Sequence, residues 1–168
     1  MPTATTSAKK HQERWQEIVS DPHLRELPYT VETNDRGQIV LSPHQADHSY
    51  LQGDLIGLLY EHTKEGRPFP EFPITTDEGV KVPDVVWMTP RRREEVDGTG
   101  DPPTLAPEIC VEVMSESNDW DEMEAKIDLY RDAGAEAVWV VEQDGRVRFF
   151  ADEELERSTL APDFPTSV

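Results

Sequence analysis

The sequence predicts an α/β fold built on a mixed central β-sheet, and three observations lead there. Short runs rich in Val, Ile and aromatic residues recur along the chain and read as strands. Longer segments between them carry apolar residues at helical spacing. A strand, a helix and a second strand follow one another over residues 108–142, with hairpin signals on either side, so helices and strands mix along the chain. At 168 residues the chain suits one domain with a sizeable core.

Taken in order, residues 1–10 are rich in Thr, Ala and Ser, lack an apolar core, and read as a disordered tail rather than a signal peptide. A domain is expected over residues 11–150, followed by an acidic, loosely packed segment over 151–168. His11–Ser20 reads as a short helix, with Trp15, Ile18 and Val19 inward and Asp21-Pro22 as its stop. Tyr29–Thr33 and Gln38–Leu41 form a hairpin around Asn34-Asp35-Arg36-Gly37. Ser42 and Pro43 read as the N-cap and first residue of a helix whose stripe is Leu51, Leu55, Leu58 and Leu59. Phe69–Thr75 and Val80–Met88 read as two strands, and Thr89–Pro107, broken by Pro and Gly, as a loop. Glu108–Met114 is a strand. The next helix is capped by Ser117 or Asn118, packs through Met123, Ile127 and Tyr130, and is closed by Gly134. Ala137–Glu142 and Arg146–Phe150 make a last hairpin around Gln143-Asp144-Gly145.

Composition narrows the function classes. The formal charge of −19 repels nucleic acid at long range, although acid is concentrated in Glu116–Glu124 and Asp152–Glu156. Cys110 is the only cysteine, which excludes an internal disulfide and a cysteine metal cage and suits a reducing cytoplasm. No apolar run approaches the roughly 20 residues that span a membrane, so no membrane partner is expected.

Three charged residues on apolar frames carry the chemistry. In Glu108–Met114 the side chains of 109, 111 and 113 are Ile, Val and Val, a core face. Glu112 lies on the other face between Cys110 and Met114, where an ionised carboxylate is costly unless it is paired or bound to metal. Asp84 lies in Val82-Pro83-Asp84-Val85-Val86-Trp87, an unusual place for an aspartate. Lys126 lies at the margin of a helix stripe and shares a face with Tyr130. Two acids on neighbouring strands can hold Mg²⁺, and a lysine beside them can steady a water or phosphate. Each also has a plain structural reading: an ion pair for Glu112, an edge or turn position for Asp84, a snorkelling side chain for Lys126.

The ordered set Pro83-Asp84, Pro107-Glu108-Ile109-Cys110-Val111-Glu112-Val113-Met114-Ser115, Lys126-Ile127-Asp128-Leu129-Tyr130 and Ala137-Val138-Trp139-Val140-Val141 resembles the PD-(D/E)xK nuclease superfamily. Within it the chain is similar to a restriction endonuclease family formerly catalogued as a domain of unknown function, over about residues 29–150. The resemblance implies a restriction-endonuclease-like mixed sheet flanked by helices. The usual lysine position two residues after the glutamate is Met114 here, and the migrated lysine of the resembled family matches Lys126. A second departure is Glu116, where the family has proline.

The resemblance further implies that Asp84, Glu112 and the Val113 carbonyl bind Mg²⁺ or Mn²⁺, with Lys126 completing the catalytic set. Glu32, His48 and Tyr130 become accessory candidates. The implied activity is metal-dependent hydrolysis of DNA phosphodiester bonds, with DNA as partner; a homodimer is expected because duplex cleavage needs two sites and exposed strands invite pairing. Alternatives are a non-catalytic binding protein of the same fold and an acidic DNA mimic. Arg91, Arg92 and Arg93, placed in the loop, are candidate nucleic-acid contacts, although Glu94 and Glu95 follow directly. His44 and His48 have helical metal-pair spacing but no adjoining acid motif, so a zinc pair is disfavoured.

Overall fold

In a computed structural model that describes residues 6–43 and 46–168, the expected mixed sheet has six strands. Helix α1 (Thr6–Ser20) and the single turn α2 (Pro22–Arg25) precede a hairpin of β1 (Tyr29–Thr33) and β2 (Ile39–Pro43). Helix α3 (Ala46–His62) leads into β3 (Arg67–Pro70), a small hairpin of β4 (Ile74–Thr76) and β5 (Gly79–Lys81), and then β6 (Val85–Met88). After α4 (Pro90–Asp97) come β7 (Ile109–Val113), α5 (Trp120–Asp132), β8 (Ala137–Val141), β9 (Val147–Phe150) and the short β10 (Glu154–Leu155). The six strands lie in the order β10-β9-β8-β7-β6-β3, with β7 and β8 parallel and their outer neighbours antiparallel.

Alternation along the central strands gives the sheet two apolar faces. Val85 and Trp87, Ile109, Val111 and Val113, and Trp139 and Val141 face α3, whose Leu55 and Leu59 are fully buried against them. Val86, Cys110, Val138 and Val140 face α5, which inserts Met123, Ile127 and Tyr130. Helices cover both faces, so β7 and β8 are buried along their whole length, as parallel strands generally are. A third cluster packs Trp15 and Ile18 of α1 against Val80 and Val82, beside Val31 and Ile39.

Several local expectations are corrected. Residues 6–10 are not a tail; Ala8, Lys9 and Lys10 are good helix formers and extend α1. Its inner stripe is His11, Trp15 and Ile18, while Val19 faces out. Ser42 and Pro43 do not open α3, because both continue β2 opposite Thr30 and Tyr29. The two expected strands over 69–88 are each broken: β3 pairs with β6 in the main sheet, while β4 and β5 pair with each other. Pro70, Pro73 and Pro83 lie at these breaks, and proline cannot donate to a ladder.

The expected loop Thr89–Pro107 contains α4. Thr89 caps it by accepting the Arg92 N–H, and Pro90 takes the first helical position. The cap of α5 is Asp119, one residue beyond the expected pair, with its side chain on the Glu122 N–H. The C-terminal segment is not loose: Ala161 and Phe164 are buried in the α3-side core, where Phe164 packs on Trp139 with ring centroids 4.6 Å apart.

Candidate active site

The site forms where β6 begins and β7 ends, which antiparallel pairing makes the same end of the sheet. Val85 opposes Val111, so Asp84 lies beside Glu112 and Val113. The contact is direct: the Val113 N–H donates to Asp84 Oδ2 at 2.7 Å. Asp84 precedes β6, and its other carboxylate oxygen meets His48 Nε2 on α3 at 2.8 Å.

Glu112 projects from β7 toward α5. Its Oε1 accepts the Tyr130 hydroxyl at 2.6 Å and lies 3.3 Å from Lys126 Nζ. Lys126 also lies 3.2 Å from Glu32 Oε1 on β1. Glu32 is fixed in turn by its Oε2, which accepts the Val82 N–H at 2.6 Å and so ties β1 to the segment that carries Asp84. Asp84, Glu112, Val113, Lys126, Glu32 and His48 line one cleft of about 50 Å³, together with Ser115, Ser117 and Asn118. That space suits a few water molecules or a partly hydrated ion.

Burial sets the electrostatics. It pushes Glu112 up to about 8, with Asp84 and Glu32 adding to the rise and Lys126 and the Tyr130 hydrogen bond opposing it. Burial works the other way on Lys126, but Glu112, Glu32 and Asp84 outweigh it and hold the ammonium above its ordinary range. Burial, then the neighbouring Glu112, raises the Tyr130 hydroxyl, which therefore stays a donor. The hydrogen bond to Asp84 raises His48 against the opposing effect of its burial. Three carboxyl groups crowd the one ammonium of Lys126, and burial favours the neutral form of Glu112, a deficit of positive charge that a cation beside it would fill.

A divalent cation fits that deficit. Asp84 and Glu112 offer hard oxygen donors on one cleft, the Val113 carbonyl is adjacent, and each carboxylate oxygen keeps a second lone pair beside the bond it already accepts. Among the described residues, no group of three or more His, Cys, Asp and Glu side chains is arranged to hold a metal ion.

Comparison with known proteins agrees with this picture. A family model described as "Putative restriction endonuclease", Uma2, matches residues 16–166. The chain belongs to the Uma2 family. A solved structure of a putative nuclease of the DUF820 group from Anabaena variabilis superposes with a TM-score of 0.63 at 17% identity, covering 85% of this chain and 91% of that one. At that identity the likeness shows a shared fold, one consistent with the PD-(D/E)xK resemblance. No curated protein sequence matches the chain. Uma2 membership supports a nuclease-like function.

The Uma2 fold brings together Asp84, Glu112, Val113, Lys126, Glu32, His48 and Tyr130, but not the arginines. Arg91, Arg92 and Arg93 follow β6, so they sit at the Glu108 end of β7, about 16 Å along the strand from Val113. Arg92 is occupied there: its guanidinium donates to the carbonyls of Ala106 and Gly134. Arg91 pairs with Glu95, and Arg93 lies 5.5 Å over the Phe69 ring. The run is built into the α4 surface, away from the cleft. His44 lies outside the described residues, and His48 is engaged with Asp84. Two residues absent from the sequence reading touch the site. Gln52 Nε2 donates to the Asp84 carbonyl at 2.7 Å, and so does the Glu71 N–H at 3.1 Å. Gln52 lies four residues after His48, a spacing that was legible as a shared helix face. Nothing in the sequence marks Glu71.

Proposed function

We propose that the chain is a divalent-metal-dependent endonuclease that hydrolyses DNA phosphodiester bonds in the cleft of Asp84, Glu112 and Lys126. The observation that carries this reading is the convergence of three distant segments. Lys126 Nζ, from α5, lies 3.3 Å from Glu112 on β7, which neighbours Asp84 through the Val113 N–H.

Asp84, Glu112 and the Val113 carbonyl would hold Mg²⁺ or Mn²⁺. The bound ion would lower the pKa of a water and offset the charge that builds on the phosphoryl oxygens. The protein's own groups do the rest. Tyr130 and Lys126 fix the Glu112 carboxylate in rotation by sharing its Oε1. Lys126 stays protonated and supplies a fixed positive charge for a phosphate oxygen or an attacking water. Glu32 holds Lys126 over the cleft from the opposite side. Duplex cleavage calls for two such sites, which a homodimer would supply. The lone buried Cys110 suits a reducing cytoplasm.

The test is cleavage of supercoiled plasmid in Mg²⁺ or Mn²⁺ by wild type, Asp84→Ala and Glu112→Ala, with an EDTA control. Metal-dependent nicking by the wild type, lost in both variants, is expected. The formal charge of −19 favours a second reading, a non-catalytic member of the fold that binds a partner or mimics DNA. Wild type that leaves plasmid intact in both metals would favour that reading.

A further inference from the structure

Asp84 is gripped through each of its acceptors, and two of the grips come from one helix face. Oδ1 meets His48 Nε2 at 2.8 Å and Oδ2 accepts the Val113 N–H at 2.7 Å. The backbone carbonyl accepts Gln52 Nε2 at 2.7 Å and the Glu71 N–H at 3.1 Å. His48 and Gln52 stand one turn apart on α3, the helix anchored beneath the sheet by Leu55 and Leu59.

Asp84 needs such a grip because it lies before β6, outside the ladder that fixes Val85. Glu71 supports the same end. Its φ of 45° is a left-handed conformation that a non-glycine residue holds only when its surroundings compel it, and here its N–H meets the Asp84 carbonyl. A carboxylate oxygen offers an acceptor, so the Oδ1 contact calls for the imidazole tautomer that carries its proton on Nε2.

We propose that His48 and Gln52 are positioning residues that set Asp84 for a divalent cation, so that α3 carries part of the metal site without contributing a ligand. The proposal rests on the metal-binding half of the function argued above. Contacts that orient a metal ligand commonly change affinity by about 10–100-fold when removed.

The experiment is Mn²⁺ titration calorimetry on the full chain. It compares wild type, His48→Ala, His48→Gln and Gln52→Leu, with circular dichroism to follow the fold. Glutamine places an amide N–H near the position of the imidazole Nε2, and leucine keeps the bulk of Gln52 without its donor. His48→Ala and Gln52→Leu should each weaken Mn²⁺ binding by about tenfold or more, while His48→Gln stays within about threefold of wild type. The Mn²⁺ concentration for half-maximal plasmid cleavage should shift by the same factor, with cleavage at saturating Mn²⁺ retained.

Affinities within about threefold of wild type for both His48→Ala and Gln52→Leu would overturn the proposal, as would a His48→Gln variant as weak as His48→Ala. Should His48→Ala fail to fold, Gln52→Leu alone decides by the same threshold. Wild type that binds Mn²⁺ but does not cut DNA removes the nuclease reading and leaves this proposal to stand or fall on affinity. Wild type that binds no Mn²⁺ removes both.

Discussion

Replacing Lys126 by Met keeps the aliphatic stem and removes the ammonium from between two buried carboxylates. Nζ lies 3.2 Å from Glu32 and 3.3 Å from Glu112, residues only 6% and 4% exposed. Unit charges at that separation attract by about 5 kcal/mol per pair at an effective dielectric of about 20. Much of that attraction offsets the cost of taking three charges out of water. Removing one partner of a buried pair therefore costs a net of about 3–5 kcal/mol. A loss of about 3 kcal/mol lowers the melting midpoint of a chain this size by about 6–12 °C.

The loss depends on pH. Glu112 has an ordinary value of 4.5 and is held up to about 8 in the folded protein, so its contribution to stability is fully present below 4.5 and is lost as pH rises through about 8. While Glu112 is neutral, Lys126→Met strands only Glu32; once Glu112 ionises, it strands both. In EDTA the deficit should be smaller at about pH 5, where only Glu32 is stranded, and should grow as pH rises through about 8. Adding Glu112→Gln should remove the part of the deficit that grows with pH. Thermal denaturation followed by circular dichroism checks this. A Lys126→Met protein as stable as wild type above pH 8, or one whose deficit Glu112→Gln leaves untouched, would refute the reasoning.

Three further outcomes are expected. Arg92→Ala removes two charge-assisted bonds to the Ala106 and Gly134 carbonyls and should cost about 2–4 kcal/mol by urea denaturation, whereas Arg91→Ala should change neither stability nor plasmid cleavage. Gly79→Ala puts a Cβ 2.4 Å from the Asn34 carbonyl oxygen at a φ of 97°. It should lower stability by more than about 1 kcal/mol by the same assay, because backbone on both sides must shift. Phe164→Ala empties a site against Trp139 and Phe149 and should cost about 3–5 kcal/mol in the same measurement.

The sequence alone was enough for β7. Its alternation placed Ile109, Val111 and Val113 on a core face and Glu112 on the opposite one, and the structure agrees. The α5 stripe of Met123, Ile127 and Tyr130 was legible for the same reason, since both periods are properties of the local backbone. The start of α3 was misread because Ser-Pro is a cap signal only where no strand competes, and pairing with β1 claimed Ser42 and Pro43. Helix α4 was missed although Thr89-Pro90 is the same signal, because the neighbouring glycines and prolines masked it.

What only the tertiary structure decided is which charges meet. Lys126 lies 94 positions from Glu32, and no local pattern joins them. The arginine run reads in sequence either as a phosphate contact or as a loop neutralised by Glu94 and Glu95, and strand direction carries it to the opposite end of β7 from Glu112. Apolar periodicity is written locally because burial acts on each residue in turn. The partner of a buried charge is set by sheet order and strand direction, which long-range packing determines.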